Sequence, residues 1–225
     1  MKKLLTSILI IVLPTAIFAI AGGGLQVTPG MGTIGATTDT KSLAIMTTTE
    51  FSIPFSVGGY LYVDAIPFVD LEVDLMAMGN KYEFGFVNDN GTIGPYDFGW
   101  ASLSTYFTLR KKLLGVGIPL LAKAKLFYGG GFNMHAVTPL MTVDLMSSVL
   151  EGDIDADPTG LTKDTLIDFL KENKIDASGF HIQTGVQFKV LTLDTFLFYR
   201  HTFAKDVIPG SDAFGSLNFR LGFGI

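Results

Sequence analysis

The chain has 225 residues, 48% of them hydrophobic and 16% charged, with 26 glycines, no cysteine and a formal net charge of −5. That length suits one compact domain, and the hydropathy excludes a disordered chain. The lack of cysteine excludes a disulfide framework and any cysteine-based metal or redox centre. The acidic balance argues against nucleic acid as a partner, which selects for a basic surface. A membrane or exported protein remains.

Met1-Lys2-Lys3 is a short basic start, and Leu4 to Ile20 is largely apolar, interrupted by Pro14. Ala19-Ile20-Ala21, followed by three glycines, has the small-x-small form of a signal-peptidase site. Residues 1–21 therefore read as a cleaved signal peptide and 22–225 as the mature domain; the alternative is an uncleaved helical anchor. Beyond this segment there is no continuous apolar run of spanning length. A mature chain in a membrane would have to cross it with strands.

Period-two alternation then dominates. It is weak over Leu25–Ile34 and strict over Phe51–Asp64, where Phe51, Ile53, Phe55, Val57, Leu61 and Val63 oppose Ser52, Ser56, Gly58, Tyr60, Tyr62 and Asp64. Weaker forms follow at Phe68–Ala77, Phe98–Arg110, Leu120–His135 and Thr195–Phe203. Gly179–Val190 and Ala213–Ile225 alternate strictly. Such stretches predict β-strands with one apolar face, eight in all; pairing by Lys41–Thr49 would make ten. Tight connections at Ala65–Pro67 and Leu191–Asp194 contrast with long ones at Gly35–Glu50, Met78–Asp97 and residues 136–178. Lys111–Pro119 is shorter, and Ala204–Asp212 is moderate. That asymmetry is typical of outer-membrane barrels, with short turns at one end and long loops at the other.

The less apolar face carries Ser, Gly, Gln, Asn and Tyr with scattered charges, where a water-facing exterior would intersperse Lys, Glu, Asp and Arg. The apolar face is accordingly assigned to lipid. Its aromatic members are Phe107, Tyr128, Phe132, Phe180, Phe188, Tyr199, Phe203, Phe219 and Phe223. The alternative is a secreted soluble β-barrel that binds a ligand inside, with these aromatics as its core. Membrane strands need about 9–11 residues each, so a wide porin-like channel does not fit in this length.

The chain resembles the small outer-membrane β-barrels of the outer-membrane protein A and X type, over Leu25 to Ile225 and as architecture. The most specific segment is the terminal L-N-F-R-L-G-F-G-I, similar to the strand signal read by the barrel-assembly machinery, although that signal usually ends in Phe or Trp and this chain ends in Ile225. The resemblance implies a bacterial outer-membrane location, contact with outer-membrane lipid and with that machinery, and no catalytic residue. No cofactor is expected, and the expected state is a monomer.

Charges of inward parity point to a plugged lumen. Asp70, Glu72 and Asp74 share one face of the third strand, with Arg110 on the fourth, Lys123 and Lys125 on the fifth, and Lys189, Arg200 and Arg220 on the last three. Antiparallel pairing sets Asp70 beside Arg110 and places Glu72 and Asp74 level with Lys123 and Lys125. Opposite charges there should pair, because an unpaired buried charge costs several kcal/mol (~3–5). The bland alternative is a solvated acidic edge.

The long loop reads as two short helices, Pro139–Glu151 and Thr162–Lys174, with Thr162 as N-cap. Between them Asp153, Asp155 and Asp157 have the first three spacings of a calcium loop, but Pro158 and Asp164 stand where Gly and Glu belong. His135 and His181 bracket the loop with inward parity and are placed at the outer mouth, whereas His201 has the opposite parity. The expected function is a non-enzymatic outer-membrane barrel serving envelope structure, surface interaction or limited small-solute passage. The alternatives are an outer-membrane enzyme with a His135/His181 rim site and the soluble ligand binder.

Overall fold

The computed structural model describes residues 21–64, 69–118 and 121–224. The signal segment up to Ile20, the whole turn at 65–67 and the terminal Ile225 lie outside these residues. In chain order the strands are β1 (Ala21–Thr28), β2 (Thr33–Ile34), β3 (Thr37–Lys41), β4 (Ala44–Thr48), β5 (Phe51–Ser52) and β6 (Ser56–Val63). There follow β7 (Asp70–Asn88), β8 (Gly91–Ile118), β9 (Ala122–Val137), the helices α1 (Val143–Val149) and α2 (Lys163–Glu172), then β10 (Ile175–Val190), β11 (Leu193–Ile208) and β12 (Ser211–Gly224).

Eight of the strands close a ring in the order β1, β6, β7, β8, β9, β10, β11, β12 and back to β1. All neighbours are antiparallel. Following paired residues from Gly22 through Tyr62, Glu72, Thr108, Gly131, His181 and Thr202 arrives at Phe214 on β12. Gly22 itself pairs with Gly224, so the ring closes with a stagger of ten residues. Closure removes every free edge from the ring, and the stagger tilts the strands, typically by about 35–45°. A barrel of eight strands leaves room inside for side chains and little else.

Side-chain polarity inverts along the walls. On the lower part of β7, Glu72 and Asp74 point inward and are buried, while Leu71 and Leu75 point outward and are exposed. Higher on the same strand the inward positions are Tyr82, Phe84 and Phe86, and the outward ones are Gly79, Lys81 and Glu83. On β8 the inward set changes from Phe98 and Trp100 to Ser102, Ser104, Thr108 and Arg110, and the outward set from Asp97 to Leu103, Phe107 and Leu109. Asn80 pairs with Trp100 and Met78 with Ser102, so both strands switch at one level. A polar interior with an apolar exterior is stable only against hydrocarbon, and the reverse arrangement only against water. The switch therefore marks where lipid ends. All nine aromatics assigned to lipid are exposed on the outer surface.

Above the switch the chain folds as an ordinary globular lobe. The β3–β4 hairpin extends the wall by pairing with β7. Met141, Val143, Met146 and Leu150 from the first helical segment, and Leu166 and Leu170 from α2, pack onto Phe84, Phe86, Phe98 and Trp100. The Tyr82 hydroxyl accepts the Met141 N–H at 3.0 Å. Thr162 caps α2, its hydroxyl accepting the Thr165 N–H at 3.2 Å. The apolar positions of both helices thus close the barrel mouth from above.

Several expectations need correction. Residues 78–97 are not a long loop: β7 and β8 continue through them and turn at Asp89-Asn90. Lys111–Ile118 is likewise strand. The stretch Phe51–Asp64 is broken at Ile53-Pro54-Phe55, because proline has no N–H for the ladder. Phe51 turns into the upper core instead of facing lipid. Leu25–Ile34 is broken too, at a kink where a Cβ on Gly30 would lie 1.9 Å from the Ile53 carbonyl oxygen. Lys41–Thr49 does supply extra strands, but outside the ring.

Leu75→Arg places a charge on the lipid face and is expected to destabilise the refolded protein by about 2–4 kcal/mol. Glu83→Arg, eight positions along the same outward row, is expected to change stability by less than about 0.5 kcal/mol. Urea unfolding in lipid vesicles reads both.

Candidate lumen ion-pair site

Inside the lower barrel three arginines meet the carboxylates of one strand. Arg110 lies 2.9 Å from Asp70 and 2.9 Å from Glu72, and 3.3 Å from Asp64. Arg220 lies 3.0 Å from Glu72 and also binds Asp74. Arg200 binds Asp74 as well. Glu72, Asp74, Arg110, Arg200 and Arg220 are all at most 1% exposed.

Amides complete the coordination. Gln183 accepts from Arg200 at 2.8 Å through its oxygen and donates to Glu72 at 2.8 Å through its nitrogen. Gln26 accepts from Arg220 at 2.6 Å and donates to Asn218 at 2.9 Å. Lower down, Tyr62 and Gln187 both donate to the Asp194 carboxylate. The guanidinium faces rest on aromatic rings: Arg200 is 4.0 Å from the Tyr106 centroid, Arg220 is 4.5 Å from Phe198, and Arg110 is 5.1 Å from Phe127 and from Phe196. Arginine suits this place because its planar fork bonds carboxylates edge-on and stacks face-on. Gly129 and Gly131, of inward parity, stand opposite Arg110 and Thr108 and leave space for them.

The residues proposed from sequence separate into two groups. Asp70, Glu72, Asp74, Arg110, Arg200 and Arg220 come together. Lys123, Lys125 and Lys189 do not join them, and the predicted level of Glu72 and Asp74 with Lys123 and Lys125 is wrong. The stagger lowers β9 relative to β7, so Glu72 meets Arg110 and Arg220, and Lys125 reaches only Asp64 at 3.4 Å. Among the described residues Lys123 and Lys189 make no ion pair. Gln26, Gln183 and Asn218 were missed, although each stands at an inward position of an alternating strand.

Above the ion pairs lies a neutral polar layer. His135 and His181 are buried within the barrel rather than set on its rim, with exposures of 3% and 1%. The edge of the Tyr106 ring lies against both imidazoles, at centroid distances of 5.5 and 5.1 Å. His135 Nδ1 is 2.7 Å from Ser104 Oγ and its Nε2 is 2.9 Å from Asn133 Oδ1; His181 Nε2 is 2.9 Å from Thr108 Oγ1. In the helical loop, Asp153 accepts the Asp155 N–H and Asp157 accepts both Thr159 donors, which holds the Asp157 carboxyl below its usual pKa. These carboxylates cap turns and do not converge among the described residues.

No protein-family model and no curated protein matches the chain. Among solved structures it is similar to the N-terminal β-barrel domain of Pseudomonas aeruginosa OprF (7% identity, TM-score 0.45, covering 92% of this chain and 97% of that one). It is also similar to the outer membrane protein OprG of Pseudomonas aeruginosa (12%, TM-score 0.46, 92% and 93%) and to Neisserial surface protein A (13%, TM-score 0.39, 92% and 95%). The fold itself is an eight-stranded antiparallel barrel of the transmembrane type, as ring closure and inverted polarity define it.

Asp74→Ala leaves Arg200 without a carboxylate partner and Arg220 with Glu72 alone, an uncompensated positive charge in a buried layer, and is expected to cost about 3–5 kcal/mol. Asp176→Ala, which removes the exposed pair with Lys174, is expected to cost less than about 1 kcal/mol. Denaturant midpoints of the refolded proteins in detergent give the comparison.

Proposed function

We propose that the chain is a bacterial outer-membrane barrel, exported by residues 1–21 and anchored by its apolar exterior. The lumen is sealed below by ion pairs and above by the helical lobe. Its role is envelope structure and surface contact through that lobe, with no catalytic step and at most narrow solute passage. The observation that carries this reading is the polarity switch at Met78–Asn80, which requires hydrocarbon around the lower barrel and water around the upper lobe. β12 supports insertion by the assembly machinery, since Leu217, Phe219, Leu221 and Phe223 all face outward. The sealed lumen and the short span suit a monomer.

Cell fractionation is expected to place the protein with the outer membrane, and unboiled samples are expected to migrate differently from boiled ones on detergent gels. Planar bilayers containing the protein are expected to show no large, steady conductance. Large openings that persist after changes to Asp74 or Arg220 would contradict the seal.

A second reading is favoured by one observation: Ser104, His135 and Asn133 form the chain of nucleophile, base and orienting group found in hydrolases. Labelling by a fluorophosphonate that disappears in Ser104→Ala would establish it. An unlabelled folded barrel leaves these residues as a polar packing layer.

A further inference from the structure

The pairing of β7 with β8 begins at Asp70 opposite Arg110. Below that level Lys111–Ile118 has no described neighbour on the β7 side, while its other side pairs with β9 down to Ala122. The β8–β9 hairpin therefore descends past the last β7 pairing with no partner along that edge among the described residues, and with two dissimilar faces. On the inner face Lys112, Lys123 and Lys125 surround Gly115 and Gly117 in an open concavity of about 420 Å³. A Cβ on Gly115 would lie 3.0 Å from Lys112 Nζ and one on Gly117 would lie 3.0 Å from Lys123 Cγ, so both glycines make room for lysine side chains. Leu114, Val116, Leu126, Val186 and Phe188 of the opposite face line a shallow groove of about 230 Å³ that adjoins the first concavity at Gly115 and Lys125.

Among the described residues the cationic face is undercompensated. Lys123 stands directly across from Lys189, an arrangement that repels. Asp64 reaches Lys125 at 3.4 Å but is shared with Arg110. Asp194, across from Lys189, already accepts from Tyr62 and Gln187. We infer that this hairpin binds an anionic phospholipid of the inner leaflet: the phosphate is held by Lys112 and Lys123, and an acyl chain continues into the adjoining groove of Leu114, Val116 and Phe188. Free phosphate would use only the first face and an uncharged amphiphile only the second. The inference rests on the outer-membrane reading, which sets this end of the barrel at the inner headgroup level, where a basic cluster gains about 1 kcal/mol per lysine.

The test uses the purified, refolded barrel in nonionic detergent, titrated by calorimetry with dihexanoyl phosphatidylglycerol, dihexanoyl phosphatidylcholine and inorganic phosphate. Phosphatidylglycerol is expected to bind most tightly. Lys112→Ala with Lys123→Ala is expected to weaken it about 30-fold, from about fivefold per lysine. Val116→Asp is expected to weaken it too, and all variants should keep the heat-dependent gel shift. If the alanine pair fails to fold, Lys112→Gln with Lys123→Gln replaces it. Equal binding of the two lipids, undiminished binding by the lysine variants, or phosphate binding as tightly as phosphatidylglycerol would overturn the inference. Failure of the outer-membrane reading shows separately, as a barrel that stays soluble without detergent.

Discussion

Hydrocarbon offers no hydrogen bonds, and the whole molecule is arranged around that fact. Ring closure satisfies the backbone of the spanning strands. The same closure turns one side-chain row of every strand into an enclosed volume, where polar groups must answer one another. Glu72 and Asp74 are tolerable at full burial because three guanidiniums and Gln183 bond them, while Gln26 and a set of ring faces support the guanidiniums. The barrel thus holds its strands together from inside by directional bonds, where a soluble barrel would use apolar packing. In the proposed function the same network is the seal, since any solute entering would have to displace paired charges.

Two solvents act on one continuous sheet. Below Met78–Asn80 the sheet is polar inside and apolar outside, and above it the relation is reversed. The upper lobe is therefore a small globular core of its own, built from the inward rows of β7 and β8 with α1 and α2 folded over them. This explains why the long connection is structured: its leucines and methionines cover aromatic rings that would otherwise stand open at the mouth.

Much of this is legible in the residues, and the illegible parts have physical causes. Phe180–Val190 and Leu217–Phe223 stay within the lipid zone, so their alternation keeps one meaning and marks both strand and outward face. Lys81 and Glu83 break the pattern because β7 leaves the lipid there, and outward positions become charged while Tyr82 and Phe84 turn inward. A reading that expects apolar residues outward sees a loop at that point. The Asp70–Arg110 contact was legible because both residues stand at the ends of neighbouring strands nearest the shorter connections. The partners of Glu72 and Asp74 depend on a stagger of ten residues accumulated around the ring, which no local pattern encodes. The Ser104–His135–Asn133 chain was hidden for a different reason, since Ser104 and His135 are adjacent only through the register of β8 with β9.

The identity of the medium around the lower barrel is most directly read by spin labels, and the absence of native cysteine makes single sites simple to create. Labels at Leu75→Cys and Glu83→Cys, on one outward row of β7, would be compared in vesicles for collision with oxygen and with a water-soluble nickel complex. The account predicts that the Leu75 label meets oxygen and not nickel, and that the Glu83 label meets nickel. A Leu75 label open to nickel, or shielded from both reagents, would contradict a lipid-facing exterior.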